Sequence, residues 1–230
     1  MSRGNARSAR GGPPPKSEST GTSAAEPHRS IAGADESAPA EESLVAVYAD
    51  ESCLGNGREG ENPGGAGGLI ELVHPRTGAL VRRDYWVSEP ATTNNRMALR
   101  SVIEAFRILG AKGRRFRVVF TSDSQYLVKG MSEWRHAWKA RQWRRKGGAL
   151  ENLALWQEAD ALVGPHDVEW RWTRGHHGDP HNEYANHLAT RAAAEQSTSG
   201  GAVPSGFDAW LAAQRSRGKL LAPVRPFPTA

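Results

Sequence analysis

The hydrophobic pattern turns from strand-like to helical near residue 92, and that change limits the possible folds more than any other feature of the chain. Before it, Leu44 to Ala49 alternates and ends in Asp50, and a Gly-rich stretch, Gly55 to Gly68, leads into Leu69 to Val73. The turn His74-Pro75-Arg76-Thr77-Gly78 follows, and Ala79 to Val87 reads as a third strand closing an antiparallel meander. After residue 92 the spacing becomes helical. Thr92 or Thr93 can cap a helix whose Met97, Val102, Ile103, Phe106 and Leu109 lie near one face before Gly110 stops it. Phe116 to Thr121 is a compact apolar strand, and a new helix starts at Ser122-Asp123-Ser124. Helices around Ser132 to Arg145 and Asn152 to Val163 precede a fifth strand, Asp167 to Thr173, and Asn182 to Ala194 is a last helix. Strands separated by helices pair in parallel, so the expected class is α/β: a mixed five-stranded sheet, three antiparallel strands then two parallel, flanked by helices.

This core is expected to occupy residues 43–195. Residues 1–42 are rich in Gly, Pro, Ser and Ala and bring too few large apolar groups to offset ordering entropy, which predicts a disordered tail. Residues 196–230 begin Gln-Ser-Thr-Ser-Gly-Gly and end among Pro223, Pro226 and Pro228, which predicts a linker and tail with a short amphipathic turn around Phe207, Trp210 and Leu211. Cys53 is the single cysteine, so no internal disulfide forms, and no stretch is apolar enough for a membrane span. Arg3, Arg7 and Arg10 resemble the start of a transit peptide, but Glu18, Glu26 and Asp35 interrupt it, and the expectation is a monomeric cytoplasmic protein.

The formal net charge of +5 favours a polyanionic partner only if the positive charge is clustered. Lys129, Arg135, Lys139, Arg141, Arg144, Arg145 and Lys146 crowd one stretch, interleaved with Trp134, Trp138 and Trp143. A solvated helix face would explain the charges alone. The tryptophans tip the reading towards nucleic acid, because an exposed indole is costly unless it packs or touches a ligand. Trp156, Trp170 and Trp172 sit on periodic apolar faces and are expected in the core.

Asp50 and Asp123 stand at the carboxyl ends of strands one and four, where neighbouring side chains converge. Two aspartates alone are weak evidence, since Asp also caps helices and starts turns. The surrounding residues are more specific. Tyr48-Ala49-Asp50-Glu51-Ser52-Cys53-Leu54-Gly55-Asn56 resembles the first-strand motif of type 1 ribonuclease H, and Thr92-Thr93-Asn94-Asn95-Arg96-Met97 resembles its first-helix motif. Thr121-Ser122-Asp123-Ser124-Gln125-Tyr126 is similar to the fourth-strand motif, Arg174-Gly175-His176-His177-Gly178 to the histidine loop, and Asn182-Glu183 opens the last helix. The basic, Trp-rich stretch is similar to the family's hybrid-binding handle. The resemblance spans the central domain and implies a ribonuclease H-like fold.

It also implies hydrolysis of the RNA strand of RNA/DNA hybrids with Mg2+, for which Mn2+ can substitute, held by three aspartates and one glutamate. Hard oxygen ligands suit that ion, and a metal pair can activate the attacking water and stabilise the leaving 3' oxygen. Asp50 and Asp123 match two of the aspartates, and His176 matches a loop histidine that assists proton transfer or product departure. The chain departs from the pattern at two positions: Ala98 follows Met97 where the glutamate belongs, and Asn186 stands at the last aspartate. Each missing charge, at about 4 Å and an effective dielectric of about 20, removes on the order of 4 kcal/mol of attraction for the metal. Asn186 keeps a carbonyl oxygen as a weak ligand, whereas Ala98 offers none. Glu51 is the nearest substitute, but strand alternation points it away from Asp50. Two readings follow: a hydrolase of weak activity, in which Ala98→Glu raises cleavage, or an inert hybrid-binding module.

For binding, the resemblance carries Asn56, Asn94, Asn95 and Gln125 to positions that touch the minor groove, where 2' hydroxyls mark RNA. Thr93 and Asn152 resemble a pocket for a DNA phosphate, though both residues also suit helix N-caps. Trp134, Lys139, Arg141, Arg144, Arg145 and Lys146 resemble the handle that tracks the DNA strand. His177, Asp179 and His181 have no spacing that specifies a metal site.

Overall fold

The computed structural model describes residues 43–55, 62–144 and 147–229. The expected disordered tail, Asn56, Arg145 and Lys146 lie outside them. Strands β1 (Leu44–Cys53), β2 (Gly64–Val73) and β3 (Leu80–Glu89) form the antiparallel meander, and β4 (Arg117–Ser122) and β5 (Asp167–Trp172) add in parallel beside β1. The sheet order is β5-β4-β1-β2-β3-β6, so the expected five strands are six. The carboxyl ends of β1, β4 and β5 therefore lie together at one edge of the sheet, the position at which open α/β sheets hold their ligands.

Alternation along β1 divides the molecule into two layers. Val45, Val47 and Ala49 join one apolar cluster with Ala98, Leu99, Val102 and Phe106 of helix α1 (Asn94–Gly110). Ala46 and Tyr48 point to the other face, towards Tyr184 and Leu188 of α5 (Pro180–Glu195). On the first side, α2 (Gln125–Lys129), a π-helical turn (Gly130–Trp134) and α3 (Arg135–Ala140) run continuously before α4 (Leu153–Val163) packs on α1. Trp156 of α4 is fully buried.

Strand β2 begins at Gly64 rather than at Leu69, because its glycines are sheet residues and not a lead-in loop. A Cβ on Gly67 would lie 2.6 Å from Leu188 Cβ, so glycine is what lets α5 settle on the strand. Such a strand is hard to recognise from its pattern, since the helix above it packs on backbone instead of on side chains.

Residues 196–229 are not a linker. Strand β6 (Val203–Pro204) pairs with Arg83 and Asp84, and α6 (Phe207–Ser216) buries Phe207 and Leu211 among Tyr48, Leu69, Tyr184 and Leu188. Leu221, Val224 and Phe227 continue over the same cluster. Buried Asp84 anchors the crossing, accepting the Tyr184 hydroxyl at 2.5 Å and the Gly206 N–H at 3.0 Å, while Arg82 bonds Asp208 at 2.9 Å. The partners of Asp84 and Arg82 are remote along the chain, which is why composition alone makes the segment look like a tail.

Behind β1 and β2, the fully buried His181 is sandwiched between the rings of Tyr48, with centroids 4.0 Å apart, and Phe207, at 5.2 Å. Its two ring nitrogens lie 3.6 Å from Glu71 and 3.7 Å from Asp179. Burial opposes charge on this imidazole, but the two carboxylates outweigh it and raise its pKa. His181 is thus a core residue and belongs to no metal site.

Candidate active site

Asp50 and Glu51 end the alternating part of β1, and Asp123 follows β4 directly. The ligand oxygens of all three lie within 4.8 Å of one another. Asp50, buried, has the α5 parity and accepts the Asn182 side-chain amide at 3.3 Å; its other oxygen takes the Glu51 backbone N–H at 2.7 Å. Glu51 has the opposite parity, between Ala49 on the α1 cluster and Cys53 beside Met97. The expectation that alternation removes Glu51 from the site is therefore corrected. Alternation holds, but it aims Glu51 at the side from which the residue at position 98 would have reached, and past the last β1–β4 pair, Ala49 with Ser122, its longer side chain still joins Asp50 and Asp123. Ser124 hydrogen-bonds it there.

The electrostatics are those of a cluster suited to a cation. Burial raises the pKa of Asp50, Glu51 and Asp123 alike. Mutual repulsion adds to this at Asp50, where the next cause is Asp123, and at Glu51, where it is Asp50. Asn182 and Asn186, one helical turn apart on α5, both reach the pair: the Asn186 side chain hydrogen-bonds Asp50, and Asn182 also hydrogen-bonds Asp123. The motif reading does not single out Asn182, although its four-residue spacing from Asn186 is the available signal. Three carboxylates with an amide oxygen beside them form a hard-oxygen set that fits a divalent cation.

His176 lies on the loop after β5, with left-handed backbone at φ 54°, and its charge is felt by Asp123. Gly175 next to it lies so close to the Asp123 carboxylate that any Cβ would collide with it. Trp172 is not a core residue: it is 49% exposed, donates its indole N–H to the Asp123 carbonyl at 2.9 Å, and lines a cavity of about 180 Å3 with Gln125, Val128 and Lys129.

The other expected residues spread along the α1–α4 side. Thr93 caps α1, its hydroxyl accepting the Arg96 N–H at 3.3 Å, with Asn94 and Asn95 in the first turn beyond it. Asn152 precedes α4 in a left-handed conformation, makes no side-chain cap and donates instead to the Tyr126 hydroxyl at 3.3 Å. Trp134 is exposed and stacks edgewise on Tyr126 and obliquely on Trp138. Lys139 is held by Asp160 at 2.7 Å, together with Arg135 at 3.1 Å, whereas Arg141 and Arg144 are exposed.

Residues 42–194 match the RNase H family, and the chain belongs to it. Ribonuclease H of Polaromonas sp. strain JS666 is 43% identical over 150 residues, covering 64% of this chain and 86% of that protein. The Cupriavidus necator ribonuclease H is 44% identical over 148 residues, 64% of this chain and 93% of its own. Among solved structures, LC9-RNase H1, described as a type 1 RNase H with the type 2 active-site motif, superposes with a TM-score of 0.77 at 64% identity, over 82% of this chain and 90% of that one. The PFV RNase H domain, at 16% identity, a TM-score of 0.56 and coverage of 67% and 96%, shares the fold.

Proposed function

We propose that this chain hydrolyses the RNA strand of RNA/DNA hybrids at a site held by Asp50, Glu51 and Asp123, with the Asn186 amide oxygen as a weak fourth ligand. The convergence of three carboxylates within 4.8 Å carries the reading. Mg2+ is the intended ion and Mn2+ the substitute; when bound, it supplies water activation and charge neutralisation on the phosphate. The protein's own residues do the rest. Asn182 holds Asp50 through its amide, Ser124 holds Glu51, and His176 stands beside Asp123, where it can carry a proton to the departing 3' oxygen. The site thus lacks one carboxylate rather than two, which favours catalysis over an inert binding module.

The hybrid lies across the α1 and α2 N-termini in this reading. Asn56, Asn94, Asn95 and Gln125 meet the minor groove, Trp172 offers a stacking face beside Gln125, and Thr93 with Asn152 takes a DNA phosphate. Trp134, Lys139, Arg141, Arg144, Arg145 and Lys146 follow the DNA strand, the enzyme acting as a cytoplasmic monomer. Single-turnover cleavage of a uniform hybrid in Mg2+ and in Mn2+ tests this, with 5' phosphate and 3' hydroxyl products expected. Hybrid binding without cleavage in either metal would leave only the inert module.

A further inference from the structure

The C-terminal segment beyond the family match passes directly over the loop that carries His176. The Arg225 guanidinium contacts both ends of that loop, the Thr173 hydroxyl at 3.3 Å and the Asp179 carboxylate at 2.5 Å. Between them, the Ala222 N–H donates to the Gly178 carbonyl at 2.8 Å, and a Cβ on Gly178 would come 3.3 Å from the Leu220 carbonyl oxygen. Lys219 holds Glu183 at 2.7 Å, and the other oxygen of Glu183 faces the Gly178 N–H at 3.4 Å. The strap is itself fixed, since Leu221, Val224 and Phe227 are packed in the cluster of Tyr48 and Phe207.

The loop needs such support. His176 sits in a left-handed conformation that costs a non-glycine residue about 1 kcal/mol, so an unrestrained loop would leave it. Gly175 against the Asp123 carboxylate means that any shift of the loop is felt at the carboxylates.

We propose that Arg225 is a positioning residue, clasping Thr173 to Asp179 so that the strap 219–225 holds His176 over Asp123. The inference rests on the proposed function for the role of His176, and the clasp itself can be read without it. In metal-free protein, Arg225→Ala is expected to speed amide exchange at residues 174–178 while leaving β1 unchanged. On hybrid, it should lower kcat about tenfold with KM unchanged, the scale of one charge-assisted hydrogen bond. Arg225→Lys keeps the ion pair and should recover most of the rate, whereas Arg217→Ala, an exposed control on the same segment, should change neither readout. In a His176→Ala background, Arg225→Ala should add no further loss, because both act through one group. Unchanged exchange at 174–178, or a full tenfold loss in the His176→Ala background, overturns the proposal. If the unaltered chain cleaves no hybrid, the proposed function falls, and the exchange measurement still decides the clasp.

Discussion

Glu51 and Ala98 occupy one side of the site between them, and the geometry reverses what the sequence implied about position 98. With Glu51 already aimed at the α1 side, Ala98→Glu brings a second carboxylate towards it and is expected to slow Mg2+-dependent cleavage rather than raise it. Glu51→Ala should cost about a hundredfold or more in single-turnover rate if Glu51 ligates the metal as proposed. Glu51→Ala with Ala98→Glu should regain part of that rate, a coupling that a double-mutant cycle measures directly. Additive effects would mean that the two positions do not exchange. The convergence of Asp50 and Asp123 is legible because each sits in a specific run of residues. Glu51 reads as turned away because parity is written in the sequence but side-chain reach past the end of a neighbouring strand is not. Trp172 reads as a core residue for a related reason: β5 is an edge strand, and alternation cannot tell a face covered by helix from one left open.

Among the elements, β2 shows how a helix can hide a strand. Its glycines resemble a loop because β-propensity reports packing of side chains, and here α5 packs on the backbone instead. Gly67→Ala should destabilise the fold by about 1–3 kcal/mol, the usual cost of overpacking, seen as a lower urea midpoint with unchanged slope. An unchanged midpoint would show that α5 can lift at no cost. The basic element makes a second case. Lys139 is engaged by Asp160, whereas Arg141 and Arg144, among the described residues of this stretch, are exposed and open to phosphate. Charge reversal at both should weaken hybrid and duplex DNA alike and flatten the plot of log affinity against log salt by about 1 for each phosphate no longer neutralised. Gel shifts across a salt series decide it, and selective weakening of hybrid binding would reject the handle assignment. Helix α6 was half legible: Phe207 and Leu211 marked its apolar side, but nothing local announced Arg82, Asp84 and Tyr184 as its anchors.

At the scale of the molecule, the buried ion network ties β2, α5 and the C-terminal segment together, and it gives stability a pH dependence of definite sign. His181 has a raised folded-state pKa, so its contribution is complete below the ordinary histidine value of 6.5 and is lost as pH rises through the raised value. Glu71 and Asp179, whose pKa values are lowered by His181 with Arg82 and Arg225, contribute above the ordinary carboxylate range and cease to do so in acid. Thermal melts of the chain and of His181→Gln should therefore differ most below the ordinary histidine value of 6.5 and converge as pH rises through the raised value. A difference that grows with pH would contradict a charged His181.

Strand β6 has a bearing on how the protein behaves in a crowded solution. Without it and Ser199 just before it, which bonds the Trp86 N–H and C=O, the outer border of β3 would present a free row of amides and carbonyls, the template on which chains add to one another edge to edge. Val203 and Pro204 interrupt that row at Arg83 and Asp84, and the second of them, Pro204, has no N–H with which to pass the pairing on. A chain ending at residue 195 would keep the whole carboxylate cluster, yet it would carry an open sheet border and be prone to build up into insoluble assemblies. The segment that looks most dispensable in composition is the one that keeps the sheet from growing.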